Sequence, residues 1–258
     1  GEVCASWTAG YFDFPTACKL VRDRAHCMQK TPEGKMISIF LEEEKLEGII
    51  SELSLNKTTV AAVNGKKLVV ASGMGKEIEV LEKKLKKDNV KCKVLNVKQA
   101  FHSPLMDDIL SDFEKSLGDI SFLGAQVDQI SSQSGLLKDA SQGTKKYWIE
   151  QIRSPTLFNQ AINTLSQQGI THIIEIGAGD TLCTLLKHGM DLTGICVTNL
   201  LHLKQEDDTL FKNALIKLWM NGLDVSFPFE TKVKIDLPLT PLLSDSPLKS
   251  IAPSDGQR

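Results

Sequence analysis

The chain has 258 residues, 41% of them hydrophobic and 24% charged, which reads as an ordinary soluble globular protein of one large domain or one domain carrying an insertion. A formal charge of −2 and a pI near 6.3 exclude the electrostatic footprint of a nucleic-acid binder or a protein of anionic membrane surfaces. Six scattered cysteines (4, 18, 27, 92, 183, 196) form no C-x-x-C pair, so a zinc site or disulfide framework is not indicated. Small buried thiols in a reducing, cytoplasmic setting fit better, with no apolar run long enough to span a bilayer and no signal-peptide pattern at the start.

In chain order, residues 1–30 predict two helices. "GEVCASWTA" is closed by Gly10, and "FPTACKLVRDRAHCMQ" opens on Pro15 with Leu20, Val21 and Met28 at helical spacing. Residues 36–97 change character: strand "MISIFLE", helix "EKLEGIISEL", strands "TTVAAVNG" and "KLVVASG" around Asn64-Gly65, helix "KEIEVLEKKLKKDN", strand "VKCKVLNV". The order βαββαβ is the ferredoxin-like pattern, and Asn-Gly between apolar runs is a hairpin signal. There follow a helix over 104–117, a strand near 125–132, a helix over 144–152, and a further helix "PTLFNQAINTLSQQG". The strand "THIIEIG" (171–177), helix "DTLCTLLKHG", strand "GICVTNL" and helix "TLFKNALIKLWMNG" complete the series. Strands alternating with amphipathic helices indicate a parallel α/β sheet covered on both faces, with the small module inserted into it. From about 226 the Pro- and Ser-rich text reads as a linker or tail, so the organisation expected is 1–35 with 98–225, an insert at 36–97, and a tail at 226–258.

Three positions carry chemistry. His102 sits between Phe101 and a serine-proline step, after a strand end. Imidazole shuttles protons near neutral pH, but a hydrogen-bonded histidine at a domain seam is the plainer reading. Arg24 lies mid-helix, where Leu20, Val21, Cys27 and Met28 mark the buried face; a guanidinium there needs an anion, either a fixed carboxylate or a substrate's. "IIEIGAGDTL" (173–182) could cradle a phosphate or methyl-donor cofactor, but Leu182 stands where a dinucleotide fingerprint wants its third glycine. A tight strand-to-helix turn capped by Asp180 or Thr181 is expected instead.

Taken in order, "LVRDRAHCM", "AAVNGKKLVVASG", "AFHSPLM", "SSQSG", "YWIEQIRSPTLF" and "EIGAGDTL" resemble the acyltransferase domain of fatty acid and polyketide synthases, kin to malonyl-CoA:acyl-carrier-protein transacylases. The resemblance covers about 240 residues. It implies an α/β-hydrolase-like large subdomain with a parallel sheet plus an inserted ferredoxin-like βαββαβ small subdomain. It implies transfer of a malonyl-type acyl group from coenzyme A to the phosphopantetheine thiol of an acyl carrier protein, through a serine in G-H-S-x-G. No tightly bound cofactor, metal, nucleic acid or membrane is implied. The partners are the carrier protein, malonyl-CoA and neighbouring synthase domains.

By the same resemblance His102 is the general base and acid, oriented by the main-chain carbonyl of Ser154. Arg24 holds the substrate carboxylate, and Met28 and Asn64 line the pocket. Phe101, before the histidine, matches the malonyl-selective form, while Gln99 replaces a residue that is often histidine. Gly1-Glu2 aligns with the last glycine of G-H-S-x-G and the glutamate after it, so the serine precedes the chain, which is expected to be a fragment inactive alone. "SSQSG" offers serines but no G-x-S-x-G turn. The competing reading is a non-catalytic module binding carrier protein or synthase domains; a methyltransferase reading of "EIGAGD" ranks third.

Overall fold

The computed structural model of the chain describes residues 1–137, 143–203 and 206–226. Two helices open it: α1 (Glu2–Ala9) ends on Gly10, whose φ of 95° needs a residue without a Cβ, and α2 (Phe14–Met28) begins where the Asp13 carboxylate accepts the Thr16 N–H at 2.9 Å.

The small module folds as its pattern predicts. β1 (Gly34–Ile39), α3 (Glu43–Glu52), β2 (Thr58–Gly65), β3 (Leu68–Met74), α4 (Gly75–Lys87) and β4 (Cys92–Val94) form an antiparallel sheet in the order β2-β3-β1-β4. Ile37, Ile39, Val69 and Ala71 pack with Leu46 of α3 and Ile78, Leu81 and Leu85 of α4 in one core, which the alternation of apolar residues along the strands sets up. On the sheet's other side Met36, Ala61 and Val70 pack with Phe101. Gly34 is fixed by close approach: a Cβ there would lie 2.5 Å from the Ala100 Cβ, and its N–H donates to the Lys98 carbonyl at 2.8 Å. The segment leading to His102 is thereby seated directly on β1.

A 3₁₀ helix (Pro104–Ile109) runs into α5 (Leu110–Leu117), so the helix expected over 104–117 has a tighter first half. The strand expected near 125–132 is absent. Its Gln126 N–H serves the α1–α2 turn instead, donating to the Ala9 carbonyl at 2.6 Å, just after Leu123 N–H donates to that of Tyr11 at 2.7 Å. Only an isolated Ile130–Leu137 bridge is strand-like. α6 (Lys145–Arg153) starts at Thr144, whose hydroxyl accepts the Tyr147 N–H. It packs Trp148 and Ile152 against Phe12, Leu20, Met106 and Phe113, the centre of the second core, with the Phe12 and Trp148 rings edge to face at 5.7 Å.

The next helix begins late. α7 (Phe158–Ser166) leaves 155–157 extended because Thr156 pairs with the free edge of β2, donating to the Ala61 carbonyl and accepting from Val63, both at 2.9 Å. β2 is an edge strand, and this strap covers it beside its bulge. β5 (His172–Glu175), α8 (Thr181–Gly189) and β6 (Cys196–Asn199) form a parallel β-α-β unit, followed by α9 (Asp207–Met220). The fold is mixed α/β as expected; among the described residues the parallel sheet has two strands, no β5 residue is buried, and Ile176 beyond it is 83% exposed. The tail expected at 226–258 lies outside the described residues from 227 onward. The six cysteines are free, and no described helix is long and apolar enough to cross a membrane.

Candidate active site

His102 adopts φ 64°, left-handed backbone that costs a non-glycine residue about 1–3 kcal/mol and persists only where surroundings hold it. The holding contacts come from both sides. The buried Ser103 hydroxyl donates to the Ala100 carbonyl at 2.7 Å and accepts the Leu105 N–H, starting the 3₁₀ helix. From α6, Arg153 Nη1 donates to the His102 carbonyl at 3.0 Å while its Nε pairs with Asp107 at 2.7 Å. The imidazole Nδ1 is buried without a hydrogen-bond partner. Burial, then the Arg24 charge, push the ring's pKa down to about 4; the main chain of Ser154 and Gln151 and the Glu2 carboxylate act in the opposite sense and lose. The imidazole is therefore neutral at pH 7, the form that accepts a proton.

Arg24 is placed by α2. Leu20, Cys27 and Met28 are buried as the helical spacing predicts, but Val21 is half exposed and lines the cavity beside Arg24 instead of the core. Among the described residues Arg24 has no carboxylate in direct contact. Its Nη2 donates to the Gln151 side-chain oxygen at 2.9 Å, Gln151 Nε2 donates to Glu2 at 3.1 Å, and the buried Nε has no partner. Burial lowers the guanidinium's proton affinity and the charge of Glu2 partly restores it. Glu2 is itself saturated: it accepts the Ser132 N–H at 2.9 Å, the Ser132 hydroxyl at 2.5 Å, and the Tyr147 hydroxyl. Ser131 meets the same Tyr147 hydroxyl at 2.8 Å. Ser131 and Ser132 of "SSQSG" thus hold the polar network under the site.

Arg24, Met28, Phe101 and His102 line one open, mainly apolar cavity of about 640 Å³, together with Gly1, Met36 and Gln99. Four of the sequence-derived residues meet there; Ser154 does not line the cavity, and its main chain acts on the His102 ring. Asn64 does not. It turns at the end of β2 into a separate cleft with Phe40, Lys67 and His188, because the Asn-Gly hairpin lies by the C-terminal end of β1, whereas the 98–103 segment sits at its opposite end on Gly34. Glu2, Gln151 and Arg153 were not singled out from the sequence. The signal available was the four-residue spacing of Tyr147 and Gln151, which puts both polar groups on one face of α6.

The glycine loop after β5 holds no vacant anion site. The N–H groups of Leu182 and Cys183 at the start of α8 donate to the Glu175 carboxylate at 3.1 and 2.8 Å. Asp180 occupies the N-cap without a side-chain hydrogen bond to the helix, so the capping expected from Asp180 or Thr181 falls to the glutamate that ends the strand. The helix terminus is occupied by the chain's own anion.

Residues 1–224 match the family model for the acyl transferase domain. Among curated proteins the chain is 30% identical over 187 residues to a PKS-NRPS hybrid synthetase, ATPKS, of Aspergillus niger, covering 71% of the chain and 10% of that protein. It is 26% identical over 245 residues to the Mycobacterium marinum phenolphthiocerol synthesis polyketide synthase Pks15/1, covering 92% of the chain and 12% of that protein. Among solved structures, the acyltransferase domain from the second module of the salinomycin polyketide synthase superposes with a TM-score of 0.82 at 29% identity, over 87% of this chain and 53% of that one. The malonyl CoA-acyl carrier protein transacylase of Clostridium perfringens superposes with a TM-score of 0.74 at 24% identity, over 86% and 71% respectively. The chain thus spans about a tenth of these curated relatives and about half of the salinomycin synthase domain. On the family match over 1–224 and a fold shared over 87% of the chain, the chain belongs to the acyl transferase domain family.

Proposed function

We propose that the chain carries the base, the carboxylate clamp and the selector of a malonyl-type acyltransferase that moves an acyl group from coenzyme A to the phosphopantetheine thiol of an acyl carrier protein. The observation that carries this reading is the shared cavity of His102 and Arg24, with a neutral imidazole and a guanidinium that, among the described residues, meets a neutral amide and no carboxylate. In this scheme the nucleophile is a serine on a turn leading into Gly1, which is the N-cap of α1 and lines the same cavity. His102 takes the serine proton, the serine oxygen forms an ester with the acyl carbon, and the coenzyme A thiol leaves with that proton. The carrier thiol reverses the sequence, again through His102.

Arg24 gives two charged N–H groups to the substrate carboxylate, which selects dicarboxylic acyl groups over acetyl. Phe101, packed against Met36 and Val70, fills space an α-methyl branch would need, a discrimination of about 1–3 kcal/mol. Residues 36–97 act as an insert between the two parts of the large subdomain, and the cleft they form with it is where carrier protein and neighbouring synthase domains would approach. Asn64 has no part in this pocket.

The test uses the domain extended upstream to include the serine turn. Replacing Arg24 by Ala is expected to lower malonyl transfer at least tenfold more than acetyl transfer, the cost of one charged hydrogen-bonded pair; equal losses would remove Arg24 from the clamp. Radiolabelled malonyl-CoA given to residues 1–258 alone is expected to leave no stable label.

A further inference from the structure

The last turn of α6 touches His102 in a way the base's role does not by itself require. We propose that Arg153 is a positioning residue for His102, clamping the main-chain carbonyl of that residue so that its left-handed backbone aims the imidazole into the cavity and against the Ser154 main chain. This rests on the reading of His102 as the base.

Three observations converge. First, His102 is one of three described non-glycine residues with positive φ, beside Ser54 and Asn89, and the one of them that lines the Arg24 cavity. A strained conformation of this kind needs an external hold. Second, contacts from Ser103 fix the chain on the far side of His102, but the carbonyl of His102 itself receives its hydrogen bond from Arg153 Nη1, at 3.0 Å. Third, Arg153 is anchored independently. Its Nε pairs with Asp107 one turn into the 3₁₀ helix, and the next residue, Ser154, leads into the Thr156 strap on β2. A single guanidinium therefore ties the loop of the base to the helix end that supplies the base's main-chain neighbour. Its planar fork serves two acceptors at once, which a lysine ammonium does with less directional hold.

The test reads the imidazole, not only turnover. In the ¹⁵N-histidine-labelled chain, the His102 ring signals are assigned by their loss in His102→Gln and followed through a pH titration. Arg153→Gln is expected to move those ring nitrogen shifts and to displace the ring's titration upward by about half a unit or more, as the ring swings toward water and away from Arg24. Arg153→Lys is expected to recover part of both changes, and Asp107→Asn, which keeps the carbonyl contact but loosens its anchor, to give a smaller shift in the same direction. Glu175→Ala, which weakens the fold at a distance, is expected to leave the ring unchanged. If Arg153→Gln and Arg153→Lys both keep the wild-type ring signals and titration, the proposal is overturned; if Arg153→Gln does not fold, the Lys and Asn variants decide in the same way. In the upstream-extended domain Arg153→Gln should lower kcat about tenfold with little change in KM, the signature of a misplaced base. Should His102→Gln leave transfer intact there, the base assignment falls while the ring measurements still judge the clamp.

Discussion

Protonating His102 tests the electrostatic account of the site without changing a residue. The ring is held at about 4, below its ordinary 6.5, by burial and by the Arg24 charge, against the Glu2 carboxylate and the main chain of Ser154 and Gln151. In the unfolded chain the ring takes a proton as pH falls through 6.5; in the folded chain it stays neutral until about 4. Between those values the unfolded state binds more protons, so folding stability rises with pH and is lost as pH falls. At about 1.4 kcal/mol per unit, the loss from this one group reaches about 2 kcal/mol by pH 5. Urea unfolding of the chain and of His102→Gln at pH 7.5 and pH 5 isolates it, because the other titrating groups are common to both. The stability advantage of the parent over the variant should shrink by about 2 kcal/mol on acidification. A difference that stays flat, or grows at low pH, would refute the claim that His102 is desolvated beside a guanidinium.

Three further outcomes follow from named contacts. Replacing Arg24 by Gln removes the second-largest influence on the ring, and the His102 titration should move upward, read by the same ¹⁵N signals. Gln151→Leu cuts the link between Arg24 and Glu2 and leaves a half-buried guanidinium with less support. We expect a loss of about 1–3 kcal/mol in urea unfolding and a rise in KM for malonyl-CoA in the extended domain; an unchanged KM would show that Arg24 needs no such tether. Glu175→Ala should cost about 1 kcal/mol by exposing the first N–H groups of α8, without altering the His102 ring.

Much of this architecture could be read from local patterns. The βαββαβ module was legible because each element carries its own period and the turn at Asn64-Gly65 declares itself, and α2 was legible from its apolar spacing and Pro15. The failures share one cause. Residues 125–132 alternate like a strand, yet the Gln126 and Val127 donors go to Ala9, and residues 155–157 look helical, yet they are captured by the edge of β2. Both outcomes are decided by partners more than ninety residues away, which no window on the sequence contains. The site divides the same way. His102, Arg24 and Phe101 could be named from motifs, whereas Gln151 and Arg153 act through bonds to residues 127 and 51 positions distant, and Asn64 sits in the right strand but at its wrong end.

The two places where an anion could bind differ in how far the chain has already satisfied them. At the start of α8 a full carboxylate, Glu175, accepts from two helix N–H groups, so a phosphate would have to displace a tethered ligand of the same charge. At Arg24 the direct partner is neutral, the nearest carboxylate lies one amide away and is already taken by Tyr147, Ser132 and Gln151, and the Nε is idle. Desolvating a guanidinium costs several kcal/mol unless an anion offsets it. A bound carboxylate would relieve that uncompensated cost, so on the proposed reading the same burial that depresses the proton affinity of His102 would also favour binding of a dicarboxylic acyl group. On the proposed reading, a substrate carboxylate on Arg24 would offset the positive charge facing the imidazole, and the ring would gain proton affinity as that substrate binds.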